Sequence, residues 1–368
     1  MLKRLCVISD RYPSNGYPVY TFVGELVKAI SSKGIECVVI TSCNDTKIKY
    51  EEQIDNKGNI IRIYRVFFPS LGKKKIGHKA LTYYFRDYIF KRTFFKRVKY
   101  ADAFYCHFWN VGIPAAFIDT EIPIFVASGE SRVWVQDLYD RKIIDKAKKN
   151  IKGVICVSSK NKEESIQNKL ITDDKTIVIP NAIDNKIFRK IDKEKCRKKL
   201  SINASDFVIV FVGALIDRKG PLRVAEAVKR VPDVKSIYIG KGDQQPKGDG
   251  ILFCGQLPHD EIPVYLNAAD VFVLPTKQEG CCNAIVEAMA CGLPIISTDR
   301  RFNDDILNEN NSIRIDCEDI DQIAEAIRKI KESTELRKSM SNESLRIAAN
   351  LTIDKRAEKI IDFIEESI

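Results

Sequence analysis

Phe207-Val208-Ile209-Val210-Phe211-Val212-Gly213-Ala214-Leu215-Ile216-Asp217-Arg218-Lys219-Gly220 is the stretch on which the fold turns. Its first six residues are apolar without alternation, which suits a strand covered on both faces rather than one with a wet side. A glycine and a charged loop follow, and a helical pattern then runs to about residue 230. Strand, loop and helix together make the repeating element of a doubly wound α/β sheet.

The same element recurs on both sides of this stretch. Downstream, strands are expected near 235–239, 251–254, 271–274 and 294–297, with helices near 260–268 and 283–291. Upstream, Leu5-Cys6-Val7-Ile8 and Cys37-Val38-Val39-Ile40 read as strands around a helix carried by Phe22, Val23, Leu26, Val27 and Ile30. More strands are expected near 61–67, 103–106, 123–126, 153–157 and 176–179, with a helix near 159–169. The pattern restarts after Val178-Ile179-Pro180-Asn181-Ala182-Ile183-Asp184, and 368 residues suit two domains at roughly 100–200 residues each. The expected domains are 1–180 and 181–353, with a last helix in 354–368. The fold class is therefore α/β, with two Rossmann-like domains expected to face each other across a ligand cleft at the strands' carboxyl ends.

Composition narrows the function. A chain 45% hydrophobic and 30% charged is an ordinary globular protein and excludes a disordered or collagen-like one. The opening stretch is also the longest apolar run, well short of the roughly 20 residues a membrane span needs. The start, MLKRLCVISD, reaches Asp10 too soon for a signal peptide and is expected to be a first strand. Eleven cysteines, an odd number without a CxxC pair, point to reduced thiols and a cytoplasmic location. Three scattered histidines make a His-rich metal site improbable.

Charge is unevenly placed. Residues 1–180 carry 31 Lys/Arg against 19 Asp/Glu, whereas 181–368 carry 29 against 31. The basic excess therefore belongs to the first half, which asks for an anionic partner there. It concentrates in 73–100, where ten cations and eight aromatics accompany a single acid, Asp87. That pattern fits peripheral contact with an anionic membrane at its inner face, and equally a helix with aromatics in the core and cations in solvent.

Two stretches carry chemistry. Glu279-Gly280-Cys281-Cys282-Asn283 follows a strand and opens a helix that holds Glu287 one turn down, on the face of Asn283. Amides at such a helix start favour an anion such as a diphosphate. The two carboxylates suit vicinal sugar hydroxyls, although the spacing alone also fits a dipole-complementing acid and a solvated one. Arg218 and Lys219 stand before another helix, where the macrodipole disfavours cations, so they too ask for an anion. Gly240-Lys241-Gly242 is a weaker signal and suits simple turn chemistry.

In order along the chain, Ile179-Pro180-Asn181 with Asp184 and Phe188, Lys219-Gly220, Gly240-x-Gly242 and Glu279-x7-Glu287 resemble the retaining glycosyltransferases of family 4 (glycosyl transferases group 1), which have the GT-B fold. The resemblance spans nearly the whole chain and is strongest over 207–298. It implies an enzyme of the hexosyltransferase class, with a nucleotide-diphosphate sugar as donor and no cofactor or metal. By the same resemblance Glu287 binds ribose hydroxyls and Glu279 the donor sugar. Gly280, Cys281, Cys282 and Asn283 line the sugar and diphosphate, and Arg218 and Lys219 neutralise the departing diphosphate. Gly16 lets the first loop approach the phosphates, and His107 matches a histidine near the reacting carbon. The first domain binds the acceptor, a saccharide or lipid-linked saccharide of surface polysaccharide or glycolipid biosynthesis, and the last helix crosses back onto that domain.

The chain departs from the family pattern at Ala214, where Arg is common, at Tyr17 after Gly16, at Ser128-Gly129-Glu130, and at 300–305. No DxD-type pair follows a strand, so no metal is expected to bridge the diphosphate; no residue is an evident covalent nucleophile, so the acceptor hydroxyl is expected to attack from the leaving group's own face. Two rivals stand beside this reading. One is a nucleotide-sugar epimerase on the same fold. The other is a non-enzymatic nucleic-acid-binding protein suggested by net charge +10, against which two carboxylates in the anion site argue by repelling a polynucleotide.

Overall fold

The alternating residues of a strand point to opposite faces, and in the first sheet both faces are covered. Leu5 and Val7 of one strand enter one hydrophobic core, with Val39, Tyr105 and Phe125. Cys6 and Ile8 of the same strand enter the other, with Ile40, Cys106 and Val126. This two-sided burial is why the strand sequences lack polar alternation.

The computed structural model describes residues 1–14, 19–43, 50–67, 75–76, 79–80, 88, 100–117 and 121–368. Two compact units result, Met1–Ile179 with Ile353–Ile368, and Pro180–Thr352. The boundaries expected at 180/181 and 353/354 each shift by one residue. Gly16 lies outside the described residues, as does nearly all of 73–100.

In the first unit the strands are β1 (Arg4–Ser9), β2 (Glu36–Cys43), β3 (Tyr50–Ile54), β4 (Ile60–Phe67), β7 (Ala103–His107), β8 (Ile124–Ser128), β9 (Ile151–Cys156) and β10 (Thr176–Val178), with a short hairpin of β5 (Lys75–Ile76) and β6 (Lys79–Ala80) apart from them. The sheet order is β10-β9-β8-β7-β1-β2-β4-β3, parallel except for β3. The helix Ile353–Ser367 belongs to this unit. It buries Ala357, Ile360 and Ile364, sets Phe363 edge-on to Phe125, and places Glu365 Oε1 2.6 Å from the amide of Leu2.

The second unit is a parallel sheet of β11 (Phe207–Val212), β12 (Val234–Ile239), β13 (Ile251–Gly255), β14 (Val271–Leu274), β15 (Ile295–Thr298) and β16 (Ser312–Ile315), in the order β13-β12-β11-β14-β15-β16. The opening stretch is its β11, buried along its whole length. Gly240 and Gly242 follow β12. A Cβ on them would stand 1.8 Å from the carbonyl oxygen of Gly213 and 2.0 Å from that of Leu215. Close approach of two strand-end loops, rather than turn chemistry alone, requires these glycines.

Candidate active site

Winding reverses at β11, which has β12 on one side and β14 on the other, so the loops after β11 and β14 leave from adjacent carboxyl ends. The amide of Lys277 donates to the carbonyl of Arg218 at 2.8 Å and ties the two loops together. On that platform Glu279 Oε1 accepts from Arg218 Nη1 at 2.8 Å, Lys219 Nζ at 2.6 Å and Thr276 Oγ1 at 2.8 Å. The two cations read from the sequence as awaiting an outside anion already meet one of the chain's own. Burial disfavours the Lys219 ammonium, but the Glu279 carboxylate 2.6 Å away more than compensates, and its pKa lies above the ordinary lysine value. Burial pushes the Cys282 thiol up, so it remains protonated at neutral pH.

The helix expected after Glu279 runs Asn283–Ala290 and places Gly280, Cys281 and Cys282 just ahead of its first turn. Asn181 fixes that loop from the far end of the unit's sequence. Its Nδ2 donates to the Cys281 carbonyl at 2.9 Å and to Asn283 Oδ1 at 2.7 Å. Glu287 follows on the buried side of the helix, and the imidazole of His259 lies 3.1 Å from its Oε1. Sequence analysis assigned neither role, because the partners are 102 and 28 residues apart.

The first sheet has its own site at the carboxyl end of β7, beside β1 and β8. His107 is 5% exposed and packed among the rings of Tyr20, Phe22 and Phe108. Neither ring nitrogen has a hydrogen-bond partner among the described residues. Burial, assisted by the charge of Arg356, pushes its pKa down to about 3, so the ring is neutral at physiological pH. Phe108 follows with φ 77°, a conformation that costs a non-glycine residue on the order of 1–3 kcal/mol. Glu130 braces this turn. Its carboxylate accepts from the amides of Trp109 at 2.8 Å and Gly129 at 2.9 Å, and burial raises its pKa to about 7 against those bonds.

Among the described residues no three His, Cys, Asp or Glu side chains converge as a metal site, and no helix is long and apolar enough to cross a membrane. Ten cysteines are described, and all are free.

Two family models cover most of the chain. The description Glycosyltransferase Family 4 matches residues 19–186, and Glycosyl transferases group 1 matches 192–346. The chain belongs to the family 4 glycosyltransferases. Among this glycosyltransferase's relatives is TuaC of Bacillus subtilis, named for a glycosyltransferase role in teichuronic acid biosynthesis. It is 29% identical over 64% of this chain and 63% of its own length. Another is the UDP-Gal:alpha-D-GlcNAc-diphosphoundecaprenol alpha-1,3-galactosyltransferase of Escherichia coli, 32% identical over 57% of this chain and 59% of its own. The matches thus span about three fifths of these curated relatives' lengths. Among solved structures, sucrose-phosphate synthase from Thermosynechococcus elongatus superposes with TM-score 0.80 at 19% identity, covering 99% of this chain and 98% of that one. Anabaena Alr3699/HepE in complex with UDP and glucose gives TM-score 0.73 at 16% identity, over 99% and 100% of the two chains. These likenesses establish the GT-B fold.

Proposed function

We propose that this glycosyltransferase moves a sugar from a nucleoside-diphosphate donor to a saccharide or lipid-linked saccharide acceptor, with retention of anomeric configuration and without a metal ion. The observation that carries the reading is the Arg218–Lys219–Glu279 cluster at the winding reversal of the second sheet. A departing diphosphate gains negative charge as the glycosidic bond breaks. Two cations fixed in place beforehand stabilise that charge with no reorganisation at the moment of reaction. Gly280, Cys281, Cys282 and Asn283 hold the sugar and diphosphate at the helix start, and Glu287 accepts from the ribose hydroxyls. Glu279 Oε1 already takes three donors, which makes it a poor nucleophile and favours attack by the acceptor hydroxyl from the leaving group's face.

His107, neutral and with no hydrogen-bond partner at its ring nitrogens among the described residues, suits a contact to the uncharged donor sugar. Gly16 is proposed for the phosphates, and the first unit for the acceptor. The UDP-Gal donor and diphosphoundecaprenol-linked acceptor in the name of the E. coli relative favour lipid-linked chemistry and a role in surface polysaccharide or glycolipid synthesis. The basic and aromatic segment 73–100 is proposed to meet anionic lipid at the inner membrane face.

The test is incubation with a panel of nucleotide sugars and undecaprenyl-diphosphate-linked saccharides, with and without EDTA. Free nucleoside diphosphate together with a product linkage of the donor's own anomeric configuration, undiminished by EDTA, is the expected result. An isomerised sugar nucleotide without transfer would establish an epimerase instead. Vesicles containing anionic lipid should bind the protein at low salt, and the binding should weaken over moderate ionic strength as charges are screened.

A further inference from the structure

His259 is held on two sides. Its ring meets the buried Phe188 edge-on, with centroids 4.9 Å apart, while 53% of its side chain is exposed. Its Nε2 lies 3.1 Å from Glu287 Oε1. The histidine comes from the segment after β13, the carboxylate from the helix Asn283–Ala290, and the phenylalanine from the segment after Asn181. Three separate connections of one unit thus converge on a single hydrogen bond. A carboxylate only accepts, so the ring nitrogen facing it carries the hydrogen and donates. A glutamate rotates about three side-chain bonds, and holding it in one pose costs conformational entropy. A donor on a half-exposed ring that rests edge-on against a buried phenylalanine offsets part of that cost before a ligand arrives.

We propose that His259 is a positioning residue for the ribose of the donor nucleotide, fixing Glu287 so that its carboxylate faces the vicinal hydroxyl pair. The proposal rests on the ribose assignment of Glu287 made above. It concerns discrimination at the sugar of the nucleotide and leaves the diphosphate contacts untouched.

Calorimetry separates the two statements. The probe is whichever of UDP, GDP and ADP binds the wild-type chain most tightly, together with its 2′-deoxy counterpart. His259→Phe keeps the ring against Phe188 and removes the donor. It is expected to lower ribonucleotide affinity about fivefold to tenfold, the scale of one hydrogen bond's net worth, and to leave the 2′-deoxy ligand nearly unchanged. His259→Gln restores an N–H donor and should recover most of the lost discrimination. Glu287→Ala should abolish the ribose preference altogether. If Glu287→Ala keeps that preference, or none of the three diphosphates binds, the ribose reading itself fails. If Glu287→Ala loses it and His259→Phe keeps it, the ribose reading survives and the positioning role is overturned. Equal loss for both ligands in His259→Phe would mean that the residue only supports the fold, which also overturns the proposal.

Discussion

His107 and Lys219 both stand largely buried at the carboxyl ends of parallel strands, yet their surroundings drive their charges in opposite directions. Around His107 are aromatic rings and, among the described residues, no hydrogen-bond partner at the ring nitrogens, and burial holds the imidazole neutral. Around Lys219 is the Glu279 carboxylate, and the ammonium stays charged despite its burial. The same strand-end geometry thus yields an uncharged, aromatic setting in the first unit and a fixed ionic one in the second.

The charged end should show the largest effect when broken. Lys219→Ala is expected to lower kcat by two to three orders of magnitude, roughly the loss of one preorganised transition-state contact. Arg218→Ala should lose less, because its side chain is 39% exposed against 12% for Lys219. Release of nucleoside diphosphate under single-turnover conditions measures both. Near-normal turnover in Lys219→Ala would remove the ionic half of the comparison.

The uncharged end should show itself in stability. The His107 pKa falls from an ordinary 6.5 to about 3, so on acidification the unfolded chain takes the proton first and stability is lost from about pH 6.5 downward. The Glu130 pKa rises from an ordinary 4.5 to about 7, so the folded chain takes that proton first and stability is gained from about pH 7 down toward 4.5. Between pH 7 and 5 each contributes about 2 kcal/mol, with opposite sign. Denaturant titration of His107→Leu should therefore show stability rising on acidification relative to wild type, and Glu130→Gln should show it falling. Parallel pH profiles in all three proteins would contradict the burial argument.

Asn181→Ala should give the smallest effect, about 1 kcal/mol in donor affinity, since it loosens the Cys281–Asn283 loop without touching a charge. Unchanged affinity, measured by calorimetry, would mean that the loop is held by its helix alone.

Much of this was legible in the sequence because burial on two faces leaves an unmistakable apolar run, as in Phe207–Val212. The strand β3 was not expected, because it is an antiparallel edge whose residues Tyr50–Ile54 alternate between exposed and half-buried. The helix Trp109–Ala115 was hidden by Pro114 within it. Glu279 and Glu287 were singled out by the ordered set of motifs rather than by their spacing alone, and the partners of each were not. The bond from Arg218 to Glu279 spans 61 residues and exists only because β11 and β14 are neighbours. Glu130 stood out only as a departure from the family pattern; its bracing of the turn after β7 was not legible, since it depends on the adjacency of β7 and β8.

The central claim is that the Arg218–Lys219–Glu279 cluster is a diphosphate site, and affinity across a phosphate series tests it most directly. Calorimetry of a nucleoside, its monophosphate and its diphosphate on wild type, Lys219→Ala and His107→Ala is the measurement. The expected result is affinity rising steeply with the diphosphate in wild type and His107→Ala, and losing that rise in Lys219→Ala. An unaltered rise in Lys219→Ala would contradict the claim.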